Sequence, residues 1–338
     1  MSGRSLAALL TLLGVMLLLV VPVPAIGQVR PSQARSAKWE QPRTPWGDPD
    51  LQGIWNNVTA TPLQRPDEFK DRAELSSAEA AEFARRAIER QEESESKPIA
   101  EQTVGQRTGY AASVWFETSH TLSENRTSLL LEPKNGRLPP LTPAAQKMAA
   151  QQAEARKVSP ADGPEDLGSY TRCITRGLPG AMMPGFYNHN YQIIQMPGYV
   201  AIVVEMIHDV RIIPMDGRPH LDAGVKQWLG DARGRWEGNT LVVETTNLRD
   251  SDQRNGGAFG TTERGRVIER FTRLGPDVMD YYVTVDDPGW YTQSWTASIP
   301  MTKVKGPIYE YACHEGNYAL PGILAGQRKE EREAAQQR

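Results

Sequence analysis

Only two cysteines and five histidines occur in 338 residues. No G-x-S-x-G elbow is present, no phosphate-cradling glycine loop, and no C-x-x-C. These absences argue against an α/β-hydrolase, a nucleotide enzyme and a thioredoxin-like protein. The histidines also lack tight metal-ligand spacing, with no H-x-H and no H-E-x-x-H. No charge excess points to a polyanionic partner. Lys and Arg number 38 against 41 Asp and Glu, a formal charge of −3, so neither nucleic acid nor an acidic membrane surface is favoured. Beyond the N-terminus no segment is long and apolar enough to span a bilayer.

The N-terminus is MSGRSLAALLTLLGVMLLLVVPVPAIGQVR. Arg4 is a short positive region, and Leu6 to Val21 is uncharged and apolar. Pro22 and Pro24 break the run, and Ala25-Ile26-Gly27 supplies small residues for a signal peptidase. The run is shorter than the roughly 20 residues of a spanning helix, so residues 1–27 read as a cleaved signal peptide. The mature protein is expected in the periplasm or secreted, with no membrane attachment. In an oxidising compartment Cys173 and Cys313 are expected to pair. The chain-entropy estimate for so long a loop is ~4–5 kcal/mol. A metal-binding or nucleophilic thiol is the competing reading.

Pro and Gly are plentiful, at 25 and 29 residues, as suits a fold with many turns. Residues 28–50 read as an extended leader. Residues 51–169 read as a helical and irregular wrap with a first strand near 50–57. Two helices are predicted there. One spans 76–92, with Ser76 and Glu79 as a capping box. The other spans 142–157, with Thr142 as N-cap and Pro143 at the first helical position. From 186 the character changes to strand-like runs at 190–196, 199–213, 240–247, 265–273, 278–286, 294–301 and 308–314, separated by turn signals. Helices do not intervene, so the pattern predicts a mainly β fold, an antiparallel meander forming a barrel-like domain over 170–325 with the N-terminal helices packed outside. Residues 326–338 form a charged tail.

Seven segments resemble a large family of secreted, mostly uncharacterised proteins of soil and aquatic bacteria. They are WGDPDLQGIW (46–55), RTSLLLEPKNGRLPPLTPAA (126–145), RCITRGLPGAMMPGFYNHNYQI (172–193), VEMIHDVRIIPMDGRPH (204–220), GDARGRWEGNTLVVETTN (230–247), VTVDDPGWYTQSWTASIPM (283–301) and EYACHEGNYAL (310–320). Some relatives are suspected of cleaving lignin-type aryl ethers, and the resemblance implies a substrate of that class. It supplies no catalytic residues. Gly53-Ile54-Trp55 also resembles the G-x-W of lipocalin-like barrels, in which the Trp closes one end. A Trp in an ordinary core is the alternative.

Read as one unbroken strand, Val200 to Ile213 puts Glu205, Asp209 and Arg211 on one face and His208 on the other. A carboxylate in such apolar company needs a partner or its pKa rises. The expected catalytic set is Glu205 or His208 as acid or base, His314 as counterpart, and Arg211 to hold developing negative charge. A structural ion pair of Arg211 with Glu205 or Asp209 is the bland alternative. If the cysteines pair, loop 177–190 lies beside His314, and Met182, Met183, Phe186, Tyr187 and Tyr191 are candidate pocket walls. Trp290 and Tyr291 are candidate stacking residues beside the Asp286-Asp287 turn. No cofactor is expected. A divalent metal on His208, His220, His314 and Glu315 is the competing reading. The function expected is a secreted acid–base hydrolase or lyase cleaving an ether or ester of a small apolar or aromatic substrate. The rival is a carrier for such a molecule, and a third reading is a structural envelope protein.

Overall fold

The computed structural model describes residues 39–96, 119, 122–158, 161–185, 187–249 and 261–336. Residues 1–27, expected to be a signal peptide, residues 28–38 of the expected leader, His120 and Phe186 lie outside the described residues. The chain divides into two compact units, residues 1–39 and 40–338, and the fold lies in the second.

That unit is mainly antiparallel β, as the sequence predicts. Its strands are β1 (Gly53–Asn56), β2 (Leu130–Glu132), β3 (Asn190–Met196), β4 (Tyr199–Val204), β5 (Val210–Pro214), β6 (Asp231–Glu237), β7 (Thr240–Thr246), β8 (Arg266–Arg273), β9 (Val278–Asp286) and β10 (Trp295–Val304). Nine follow the order β5-β4-β3-β1-β10-β9-β8-β7-β6, and short β2 pairs with β10. The sheet curls until β5 and β6 approach each other. With nine antiparallel strands, the two edge strands run in the same direction. No backbone ladder joins them, and the barrel is nearly closed rather than sealed. At this seam Gly234 lets β6 meet β5: a Cβ there would sit 2.9 Å from Ile213 Cγ2.

Period-two alternation sets the inside. Met279, Tyr281, Val283 and Val285 on β9 point inward and are fully buried, as do Val267, Glu269 and Phe271 on β8. Three helices accompany the sheet: α1 (Ser77–Ser96), α2 (Pro143–Val158) and α3 (Ala319–Gln336). The predicted caps are in place. Ser76 Oγ accepts from the Glu79 N–H at 3.4 Å and Glu79 Oε2 from the Ser76 N–H at 2.9 Å, while Thr142 Oγ1 accepts from the Ala145 N–H at 3.2 Å. Among the described residues no helix is long and apolar enough to cross a membrane.

The expected strand 199–213 is instead a hairpin, β4 and β5, folded at Glu205–Asp209. The turn holds Ile207 at φ 66 and His208 at φ 61. The sequence EMIHD offers no glycine or proline, so nothing local announces it. The apolar alternation runs on either side of the bend and mimics one long strand. The expected strand 308–314 carries no ladder; it is a strap whose backbone meets Glu205 and His208 at the β4–β5 turn. Conversely β6 (DARGRWE) escapes detection, because its inward positions are Ala232, Gly234 and Trp236, two of them small.

Trp55 is fully buried, and its indole N–H donates to the Leu51 carbonyl at 2.9 Å. The Arg273 guanidinium stands 5.7 Å from its ring centre and Lys303 Nζ 5.6 Å. Arg273 also donates to the Asp50 carbonyl at 3.1 Å. Indole and guanidinium together lie at the end of the barrel where the chain enters β1. At Gly53 a Cβ would lie 2.7 Å from Lys303 Cε, and φ is +135, so only glycine fits before this Trp.

Candidate functional site

Redirection at Glu205–Asp209 separates the residues expected on one face. Arg211 points into the barrel. Its Nη1 donates to Glu269 Oε1 at 2.8 Å, and its Nη2 pairs with Glu269 Oε2. The Tyr281 hydroxyl donates to the same Oε1 at 2.9 Å. Burial and the adjacent Glu269 carboxylate both push the Tyr281 phenol well up. Arg211 is therefore a clamp that ties the edge strand β5 to β8 across the barrel interior. It does not stand by Glu205 or His208, and the role of holding developing charge beside them is withdrawn.

Glu205 and His208 do meet the segment leading to the second cysteine, on the barrel rim. Glu205 is 1% exposed. Its Oε2 accepts from Asn190 Nδ2 at 2.7 Å and its Oε1 from the Tyr309 N–H at 3.1 Å. His208 Nδ1 stands 2.9 Å from the Tyr311 carbonyl, and the Tyr311 N–H reaches His208 Nε2 at 2.8 Å. Both ring nitrogens thus meet the backbone of a single residue, Tyr311. The strap holds both groups.

Asp209 has a different environment. Its Oδ2 accepts the Thr175 hydroxyl at 2.7 Å, and the Arg176 backbone N–H also donates to it. Burial raises its pKa, against those two hydrogen bonds and the charge of Arg211. The native state therefore binds its proton more tightly than the unfolded chain. The stability from that proton is full below the unfolded value and is lost as pH rises through the higher folded value. Asp209→Asn, which keeps an acceptor for Thr175 but needs no proton, is expected to match the parent near pH 4 and exceed it in thermal midpoint near pH 7. Paired melting curves at the two pH values check this.

Three phenols converge next to these groups. The Tyr170 hydroxyl lies 3.4 Å from that of Tyr187 and donates to Met206 Sδ at 3.7 Å. The Tyr187 and Tyr311 rings stack with centres 6.4 Å apart at 19°. Burial pushes the Tyr311 phenol up to about 12, and Tyr170 is raised further by burial and by Tyr187. The Arg176 guanidinium opposes the shift at Tyr311. The Cys173–Cys313 disulfide, closing a separation of 140 residues, brings these segments together.

The remaining expected residues fall elsewhere. His314 and Glu315 are exposed past the disulfide. His220 is on the outer face of β6–β7, its Nδ1 2.8 Å from Asp231 Oδ2 and its Nε2 4.0 Å from Glu244. Among the described residues no group of three His, Cys, Asp or Glu could hold a metal ion. Met182, Met183 and Tyr191 are buried in the main core; Asn57 Nδ2 donates to the Met182 carbonyl and to the Tyr191 hydroxyl, each at 3.0 Å. Trp290 and Tyr291 are also buried, below the start of α2, with the Thr142 N–H on the Trp290 carbonyl. Of the expected walls among the described residues, Tyr187 alone belongs to the phenol cluster. Tyr170, Thr175 and Tyr311 carry no motif that marks them as site residues, and Asp209 is legible only as a neighbour of Glu205 and Arg211 on one face. Their signal was the cysteine pairing: Tyr170 and Tyr311 stand three and two residues before their cysteines.

No known protein family, curated protein or solved structure matches the chain.

Proposed function

We propose that this chain is an exported protein, periplasmic or secreted, that binds a small aromatic molecule bearing a phenol or aryl-ether oxygen at the tyrosine rim. The observation that carries the reading is the convergence of Tyr170, Tyr187 and Tyr311 beside Met206, held by a disulfide. Such a rim offers ring faces for stacking, a thioether, and hydroxyls that both donate and accept. The compartment is supported by the N-terminal apolar run and by a disulfide, which persists outside the reducing cytosol. Calorimetric titration with phenol and with aryl-ether dimers tests the reading. Saturable binding is expected, weakened at least tenfold in Tyr187→Ala with the thermal midpoint little changed. Absence of heat with both ligand classes contradicts it.

A second reading, favoured by Asp209, is acid–base hydrolysis or elimination at the same rim. A carboxyl whose pKa is raised by burial suits general acid work, and the Thr175 hydroxyl and Arg176 amide orient it. On this reading Asp209→Asn abolishes turnover of an aryl ether and preserves its binding. Turnover intact in that variant excludes Asp209 as the acid.

A further inference from the structure

Past β10 the chain changes its mode of attachment. Among the described residues 305–336 not one is buried. A segment without buried side chains gains little from the hydrophobic effect. What fastens it is the half-buried Tyr311 ring, packed on the core and on Tyr187, a short series of polar contacts and one covalent bond. The Tyr309 N–H meets Glu205, the Tyr311 backbone meets the His208 ring, Asn317 Nδ2 donates to the Thr171 carbonyl at 2.9 Å, and Cys313 is bonded to Cys173. Farther on, Arg328 donates to the Ala161 and Asp162 carbonyls at 3.1 and 2.9 Å. Beneath this strap lie a carboxylate at 1% exposure and an imidazole, both bound to the strap's own backbone. Neither is needed to hold the barrel's ladders, which are complete without them.

We infer that residues 305–318 are a dithiol-releasable cover over Glu205 and His208 that also carries Tyr311, one wall of the tyrosine rim. The exchange balances as follows. One thiolate of a dithiol attacks a sulfur of the Cys173–Cys313 bond and forms a mixed disulfide. The second thiol of the reagent displaces the protein sulfur. Cys173 and Cys313 leave as thiols, and the dithiol leaves as a disulfide, having supplied two electrons and two protons. Cys313 is partly exposed and Cys173 is buried, so attack is expected at the Cys313 sulfur. Loss of the cross-link removes the constraint on a segment that has no core of its own. Its significance for ligand access rests on the binding reading above.

The test uses the full chain in three forms: oxidised, reduced with dithiothreitol and alkylated with iodoacetamide, and the Cys313→Ser variant. Amide exchange at Tyr309 and Tyr311 is expected to quicken at least tenfold in the last two, with β9 and β10 amides unchanged. Carbodiimide labelling of Glu205, read by mass spectrometry, is expected to rise at least tenfold. Unchanged exchange and labelling with both thiols alkylated would overturn the inference, as would loss of protection throughout the barrel. Phenol affinity is then compared between the forms. Weaker phenol binding is expected once the strap is released, because Tyr311 leaves the rim with it, and equal affinity contradicts a strap that carries a wall of the rim. Phenol binding to neither form removes the binding reading, and exchange with labelling decides the strap by themselves.

Discussion

Glu269→Ala is expected to lower the unfolding free energy by about 3–5 kcal/mol, the cost of leaving a buried partner charge uncompensated. Both members of the pair are almost wholly inaccessible, Arg211 at 2% and Glu269 at 0% side-chain exposure. Arg211 Nε has no hydrogen-bond partner, so the carboxylate is the group that neutralises it. The position also matters. Between β5 and β6 no ladder exists, and this pair links β5 to β8 across the interior. Joint replacement should behave differently. Arg211→Met with Glu269→Leu and Tyr281→Phe removes every charge and the orphaned hydroxyl together. That triple variant is expected within about 1.5 kcal/mol of the parent. Urea midpoints of the three proteins decide it. A loss below about 1 kcal/mol for Glu269→Ala would mean that water reaches the pair, in line with the weakness of exposed pairs.

Trp55→Ala is expected to cost about 3–5 kcal/mol. The indole is fully buried, donates to the Leu51 carbonyl, and sits beneath two cations. Its removal opens a void at the entry end and leaves Arg273 without its ring. Trp46→Ala is the matched control. That indole is 38% exposed and donates only to Asp48, so a change within about 0.5 kcal/mol is expected. Equal losses in the two variants would mean that Trp55 is not a closing element.

The β character of this protein was legible because inward and outward residues alternate along β3, β8, β9 and β10. Both capped helices were legible because Ser76, Glu79, Thr142 and Pro143 act locally, within four residues of the groups they satisfy. The hairpin at Glu205–Asp209 was not, because Ile207 takes a left-handed conformation disfavoured by its own branched side chain. Tertiary contacts overrule local preference there: the His208 ring with Tyr311, Asp209 with Thr175, and Glu205 with Asn190. A single misread turn moved Arg211 from the rim to the interior. The site followed the same rule. Cysteine pairing could be read from the count, and the bond joins Tyr170 and Tyr187 to Tyr311, whereas His314, expected beside loop 177–190, is exposed past the disulfide. Which side chains then touched depended on a strap that reads as a strand by composition but forms no ladder. Met182 and Met183 show the limit of composition: flexible thioethers suit a pocket wall and a core equally, and here both are core.

The claim that a small aromatic ligand is taken at the tyrosine rim is tested most directly by an NMR titration of ring-labelled tyrosine protein with an aryl-ether dimer. Saturable shifts of Tyr170, Tyr187 and Tyr311 are predicted, with the ring signals of Tyr282, on the outer face of β9, unmoved. No shift at millimolar ligand, or shifts confined to tyrosines outside the rim, would contradict it.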